Sequence, residues 1–322
     1  LGSLAGLTAV DLGAIAIRET IVRSGIDAAD VDAVYLGNVV QAGVGPNPAR
    51  LAAVGAGIPL SAPATSINKL CLSGLTAIAH AHLAIQGGVA SVAVAGGTES
   101  MTNAPHLARL RQGVKYGSAA LQDALEQDAL ICGIDREVMG AATQRYQRPL
   151  DIGREEQDAF AARSHELAAA AEGVFADEIV PVTISSRRGD TVVDRDEGVR
   201  PGTTADALAA LRPAFAADGT ITAGSSSQLS DGAAAVLAMD RAEAERRGLP
   251  WIAEIVSYAT VAGPDPSLLH QPARAIEKAA AAAGIGVADL DLVEINEAFA
   301  SVAIASVREL GLSLDRVNVN GG

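Results

Sequence analysis

The sequence predicts an α/β fold made of two similar halves with a subdomain inserted between them. Three observations predict it: a repeated helix-turn-strand unit, helix-like and strand-like segments alternating through the first hundred residues, and a long stretch that belongs to neither copy. The repeat carries most weight. The segment "AIAIRETIVRSGIDAADVDAV" (Ala14 to Val34) aligns without a gap on "ARAIEKAAAAAGIGVADLDLV" (Ala273 to Val293), 259 positions later, with nine of twenty-one residues identical. Each copy reads as an amphipathic helix, a glycine (Gly25, Gly284) able to take positive φ and end it, an Asp-bearing turn and a strand.

After the first copy, "AVYLGNVV" reads as a strand, 48–55 as a helix opening on Pro48, the residues after Cys71 as a helix, and "SVAVAGG" (Ser91 to Gly97) as a strand. This alternation points to a parallel-rich sheet. The insertion contains "REEQDAFAARSHELAAAAEG", a helix with an acidic first turn that ends near Gly173. The chain then returns through Pro and Gly turns to an apolar run, Ala233 to Met239, expected to be the strand that opens the second half. The expected division is 1–100 for the first half, 101–220 for the inserted subdomain, and 221–322 for the return strand and second half. Adding 259 to Gly97 reaches position 356, past Gly322, so the second half is expected to be incomplete and the 322 residues to be part of a longer chain.

At 49% hydrophobic and 19% charged, the chain can bury a large core and disorder is excluded. A net charge of −14 argues against nucleic acid or an anionic membrane as the main partner, since no strong basic patch offsets it. The loops "SRRGD" (186–190) and "RDEGVR" (195–200) mix signs and read as solvated surface with room for a single phosphate contact. No apolar run of eighteen residues occurs, and "LGSLAGLTAVDLG" has neither the basic flank nor the cleavage pattern of a signal peptide, so a soluble protein is expected. Two cysteines sixty-one positions apart form neither a disulfide framework nor a zinc set; free thiols, a reducing cytoplasm and no metal are expected.

Cys71, in "SINKLCLSGLTAIAHAHLAIQGG", stands at the start of a helix whose Leu72, Leu75, Ile78, Leu83 and Ile85 make it apolar on most faces and, by expectation, buried. A thiol there meets unpaired backbone N–H groups and the positive end of the helix dipole, which favour thiolate and predict a lowered pKa; the same N–H groups could hold an oxyanion. A lone cysteine is equally a small buried hydrophobe. The residues alone leave both readings open.

The surrounding motifs resemble the thiolase family. "NKLCLSGLTAI" (Asn68 to Ile78) is similar to its nucleophile motif, "GGTESMTNAPH" (Gly96 to His106) to the strand and loop after it, "LRPAFAADGTITAGSSSQLSDGAAA" to its coenzyme A segment, and "DLVEINEAFA" (Asp291 to Ala300) with "VNVNGG" (Val317 to Gly322) to its second half. The resemblance implies a five-layered sandwich of two α/β halves with an inserted loop subdomain. Here that sandwich would lack its N-terminal strand and the C-terminal part of its second half.

By this resemblance Cys71 attacks an acyl-CoA thioester to give an acyl-enzyme, and Asn296 positions a water in the oxyanion hole. Ser227 would bond the pantetheine arm, Arg200 and Phe215 would lie near the nucleotide, Met139 would line the pantetheine tunnel, and Ala298 and Phe299 would shape the acyl pocket. The activity implied is an acyl-CoA C-acyltransferase, condensing two acetyl-CoA or cleaving a 3-ketoacyl-CoA, in lipid metabolism and fatty-acid β-oxidation. Coenzyme A would be substrate or product with no bound cofactor, and the enzyme a cytoplasmic homodimer or homotetramer.

The family's proton-taking His in "GHP" and second Cys in "C-x-G-G" have no match here. His80, His82, His106, His165 and His270 read as helix or loop residues, and Cys132 as structural. Val138 stands where short-chain relatives often carry a His, and Ala207 replaces a hydroxyl. Besides the acyltransferase, the sequence leaves room for a catalytically incompetent, thiolase-like CoA-binding protein. A decarboxylating ketoacyl synthase fits the "NEAFA" context poorly.

Overall fold

The computed structural model describes residues 2–187 and 189–322; Leu1, and Arg188 of the "SRRGD" loop, lie outside the described residues. In chain order the helices are α1 (Ala9–Ser24), α2 (Pro48–Gly55), α3 (Ser73–Gln86), α4 (Met139–Gln147), α5 (Arg154–Ala170), α6 (Glu172–Phe175), α7 (Ala205–Ala209), α8 (Arg241–Arg247), α9 (Gln271–Ala283) and α10 (Ala300–Leu310). The strands are β1 (Ala33–Gly37), β2 (Ala64–Ile67), β3 (Val92–Ser100), β4 (His106–Leu107), β5 (Gln122–Asp123), β6 (Ile131–Cys132), β7 (Glu137–Val138), β8 (Val182–Ile184), β9 (Thr191–Val193) and β10 (Asp231–Met239). They divide into two compact units: Leu1–Leu130, Val180–Val193 and Leu229–Ile255 form the first, and Ile131–Ile179, Asp194–Gln228 and Val256–Gly322 the second.

The first unit is built on a four-stranded sheet in the order β10-β3-β1-β2. β1 runs parallel to both β2 and β3, as alternation with helices requires, but β10 is antiparallel to β3. The strand expected to open the second half therefore completes the first sheet instead. Its nine-residue register, Asp231↔Ser100 to Met239↔Val92, puts apolar groups against a strand that is buried almost throughout. Residues alternate across the sheet with period two. Val34, Leu36 and Val94 face the core shared with Ile17 of α1 and Ala49, Ala52 and Ala53 of α2, whereas Ala93, Ala95 and Ile67 face Ala77 and Ala81 of α3.

Local signals set the helix ends. Thr8 caps α1 through a capping box with Asp11, and Gly25, at φ 71°, ends it. Asn47 caps α2, whose first residue is Pro48, accepting from the Arg50 N–H at 3.1 Å. The helix expected to be buried all round departs from that reading: α3 buries Ser73 and three alanines while Leu75 is 69% exposed and Leu83 44%. Its contact face is the alanine stripe flanked by Ile78 and Ile85, set against Tyr35 of β1 and Ala93 and Ala95 of β3.

The second unit packs α4, α5, α9 and α10 around Phe160, Ile221, Leu269, Ile295 and Phe299. Every residue of α10 from Ala300 to Val307 is buried. Three buried glutamines fix the segment before Ser227. Gln144 Oε1 accepts from the N–H groups of Thr220 (2.7 Å) and Ile221 (2.9 Å), and Gln147 and Gln157 both donate to the Thr220 hydroxyl.

The second repeat copy lies in this unit and reproduces the first. α9 ends at Gly284, φ 76°, as α1 ends at Gly25; a short 3-10 turn follows at Val287–Asp289 as at Ala28–Asp30. Val293 then pairs in parallel with Val317, as Val34 pairs with Ala64. The second strand is reduced to this one bridge among the described residues.

Candidate active site

Cys71 precedes α3 by two residues, in a loop held from both sides. The Ser73 hydroxyl accepts from the Lys69 N–H (2.8 Å) and donates to the Leu70 carbonyl (2.6 Å), and Asn68 Oδ1 accepts from the Leu70 N–H at 3.1 Å. These bonds hold Leu70, a non-glycine residue, at φ 51°, a strained conformation of the kind that concentrates at functional sites. Next to it, Cys71 lines a cavity of about 500 Å³ whose wall includes Leu70, Val40, Met101 and Leu130, with Asn38, Ser73, Thr98 and Glu99 among its polar residues. Cys71 is exposed, yet these surroundings remove enough water to push its thiol above its ordinary pKa, with a backbone hydrogen bond pulling back. Burial thus works against the lowered pKa expected at a helix start, and it outweighs the backbone hydrogen bond that favours the thiolate.

The end of β1 approaches the start of α3 closely. A Cβ on Gly37 would lie 2.7 Å from backbone atoms of Ser73 and Gly74, so only glycine fits there. Beyond it, Glu99 gathers the chain: Oε2 accepts from the Val39 N–H (2.8 Å), and Oε1 from Asn38 Nδ2 (3.0 Å) and the Val40 N–H (3.3 Å). Burial pushes the Glu99 carboxyl up despite these donors. Asn38 is itself buried, and its Oδ1 has no hydrogen-bond partner among the described residues.

The other candidates lie in the second unit. Asn296 is exposed in the irregular segment between the Val293 bridge and α10, and its side chain makes no hydrogen bond among the described residues. Met139, Phe215, Ala298 and Phe299 come together on one core. The Phe215 ring meets that of Phe299 edge-on at 5.8 Å and covers Gly140, where a Cβ would lie 2.3 Å from it. Ser227 is exposed and donates its N–H to the Ala298 carbonyl at 3.1 Å. Arg200 is exposed and tied to α5, its N–H donating to His165 Nδ1 at 3.3 Å; burial first and the Arg200 charge second push His165 below its ordinary range. Across the β6–β7 hairpin Val138 pairs with Ile131 and Cys132 with Glu137, and Ala207 lies in α7, donating its N–H to the Thr204 cap.

Three polar residues that the sequence did not single out organise this unit. Asn318 is fully buried at φ 46°; its Oδ1 accepts from the Ile295 N–H (2.8 Å), and its Nδ2 donates to the Ile295 carbonyl (2.9 Å) and Glu297 Oε1 (2.7 Å). Ser164 of α5 donates to Glu297 Oε2 at 2.7 Å. The signal for Asn318 was the Asn of "NVNGG", a residue type that tolerates left-handed backbone. Burial raises the carboxyl of nearby Glu294, with the Glu297 charge adding to it. No group of three or more His, Cys, Asp or Glu side chains converges as metal ligands among the described residues, and no helix among them is long and apolar enough to cross a membrane.

The fold and site define an α/β protein that presents a cysteine at the entry to a sheet-covering helix. The chain belongs to the thiolase family: residues 1–242 match the thiolase N-terminal domain and 249–322 the thiolase C-terminal domain. It is 53% identical to a probable acetyl-CoA acetyltransferase of Mycolicibacterium smegmatis, over the whole of this chain and 84% of that protein. A probable acetyl-CoA acetyltransferase of Mycobacterium tuberculosis is 52% identical (100% and 83% covered), and an acetyl-CoA acetyltransferase of Rhizobium meliloti 48% (100% and 82%).

Proposed function

We propose that this protein is an acetyl-CoA acetyltransferase-type thiolase in which Cys71 carries the acyl group. The observation that carries the reading is Cys71 itself, on a strained, hydrogen-bonded loop at a cavity of about 500 Å³. Names of relatives 46–53% identical support the substrate class. In this reading the Cys71 sulfur, once deprotonated, attacks the thioester carbonyl carbon; a new C–S bond forms and the coenzyme A thiolate leaves. A second acetyl-CoA, losing an α-proton, then attacks the acyl-enzyme and restores Cys71. Thiolysis runs the same steps backwards.

A thiol held above its ordinary pKa needs a base to take its proton. The family resemblance assigns that proton and the α-carbon proton to motifs not among these 322 residues, so the reading gives this chain the acyl-carrying role. Asn296 serves the thioester oxygen through a bound water, Ser227, Arg200, Phe215 and Met139 hold coenzyme A, and Ala298 and Phe299 bound the acyl group. The proposal extends to a cytoplasmic homo-oligomer in lipid metabolism, with 1–100, 101–220 and 221–322 as its functional divisions.

The test is intact-mass measurement after mixing with acetyl-CoA. Native protein is expected to gain one acetyl group at Cys71, and Cys71→Ser to gain none and lose acyl transfer by at least about a thousandfold. Tight acyl-CoA binding with no acetylation would overturn the enzyme reading in favour of a binding protein.

A further inference from the structure

We propose that Asn318 is a positioning residue for Asn296, acting with Glu297 and Ser164 as one brace. The inference rests on the reading of Asn296 as the oxyanion-side group and adds what holds that group in place. Asn296 occupies irregular chain and has no side-chain hydrogen bond of its own among the described residues. Its placement therefore depends on its two neighbours, and both are gripped by the same buried side chain. Asn318 holds Ile295 by N–H and carbonyl together, at 2.8 and 2.9 Å, and holds Glu297 by its carboxylate at 2.7 Å.

The grip is itself anchored. Asn318 is wholly buried, its N–H donates to the Val293 carbonyl at 2.9 Å, and the neighbouring Val317 pairs with Val293. The far oxygen of Glu297 meets Ser164, whose oxygen accepts from the Gly322 N–H at 2.9 Å and whose single proton has two acceptors, Glu297 Oε2 at 2.7 Å and the Gly322 carbonyl at 2.9 Å, the carboxylate being the nearer and the charged one. Residue 318 is left-handed, a conformation a β-branched residue would not adopt, and its carboxamide reaches Ile295 and Glu297 together, which a shorter polar side chain would not span. Side chains that act at a distance of about 3 Å from reacting atoms lose catalytic power steeply when displaced.

The experiment uses the natural full-length enzyme. Asn318→Gly keeps the positive φ and removes the grip. It is expected to lower kcat about tenfold to a hundredfold, with KM for acetyl-CoA changed less than about threefold. On an Asn296→Ala background the same change is expected to cost nothing more, because the group it positions is gone. Ser164→Ala, a milder release of Glu297, is expected to lower kcat by several-fold in the same non-additive way, and it carries the test should Asn318→Gly not fold. An unchanged kcat, a rise in KM alone, or losses that multiply on the Asn296→Ala background would each overturn the proposal. Full activity of Asn296→Ala alone would overturn the reading of Asn296 as well, which separates the two failures.

Discussion

The two copies of the repeat part company just beyond their aligned segments. Under the 259 offset Gly37 and Asn296 are equivalent, each three positions beyond a valine, Val34 or Val293, that pairs in parallel. In the first copy the start of α3 lies against position 37 and excludes any side chain; in the second, position 296 is open and carries a carboxamide. Each is followed by a brace of opposite construction. A carboxylate from β3, Glu99, collects backbone N–H groups in one, and a carboxamide, Asn318, grips backbone and carboxylate in the other. One frame thus serves two ends: packing against a nucleophile helix, and presenting a polar group.

That contrast is open to direct attack. The largest effect is expected from Asn296→Ala, a loss of about a hundredfold to a thousandfold in kcat, as for removal of an oxyanion-side group, with thermal unfolding unmoved. The equivalent change in the first copy, Gly37→Ala, should do the reverse: a stability loss of about 1–3 kcal/mol from overpacking against Ser73 and Gly74, measured by urea unfolding. Equal effects on stability at the two positions would break the comparison.

The smallest effect sharpens it. Burial holds the Glu99 carboxyl above the usual value of 4.5. Between that value and its raised folded value the native state binds more protons than the unfolded chain, so stability falls as pH rises through this window. Glu99→Gln should remove this slope, seen as the native protein's unfolding free energy falling relative to the variant's as pH rises through the window. Parallel curves would mean that the carboxyl is not desolvated.

Much of this frame was legible in residues. Gly25 and Gly284 marked both helix ends, Pro48 the start of α2, and the gap-free alignment the shared unit. Pairing partners were not legible, because an apolar run such as Ala233 to Met239 carries no label for the strand it joins; β10 went to β3. Nor was the exposure of Leu75 and Leu83, which follows from the alanines on α3 winning the sheet-facing side. At the site, Cys71 stood out by chemistry and context, whereas the shift of its thiol depended on cavity walls contributed by distant segments. Asn318 and Glu99 escaped notice because a buried brace is defined by what it touches.

The parallel pairings span different lengths of chain. Thirty positions separate Val34 from Ala64, but twenty-four separate Val293 from Val317, a difference of six. Loop-closure entropy grows only as the logarithm of length, so shortening the connection changes the free energy of joining these strands by about 0.2 kcal/mol. Once such a unit has been duplicated, residues can be gained or lost between its strands at almost no thermodynamic penalty. The helix-glycine-strand frame holds its register while the intervening chain drifts, and one copy is left free to change at its strand end.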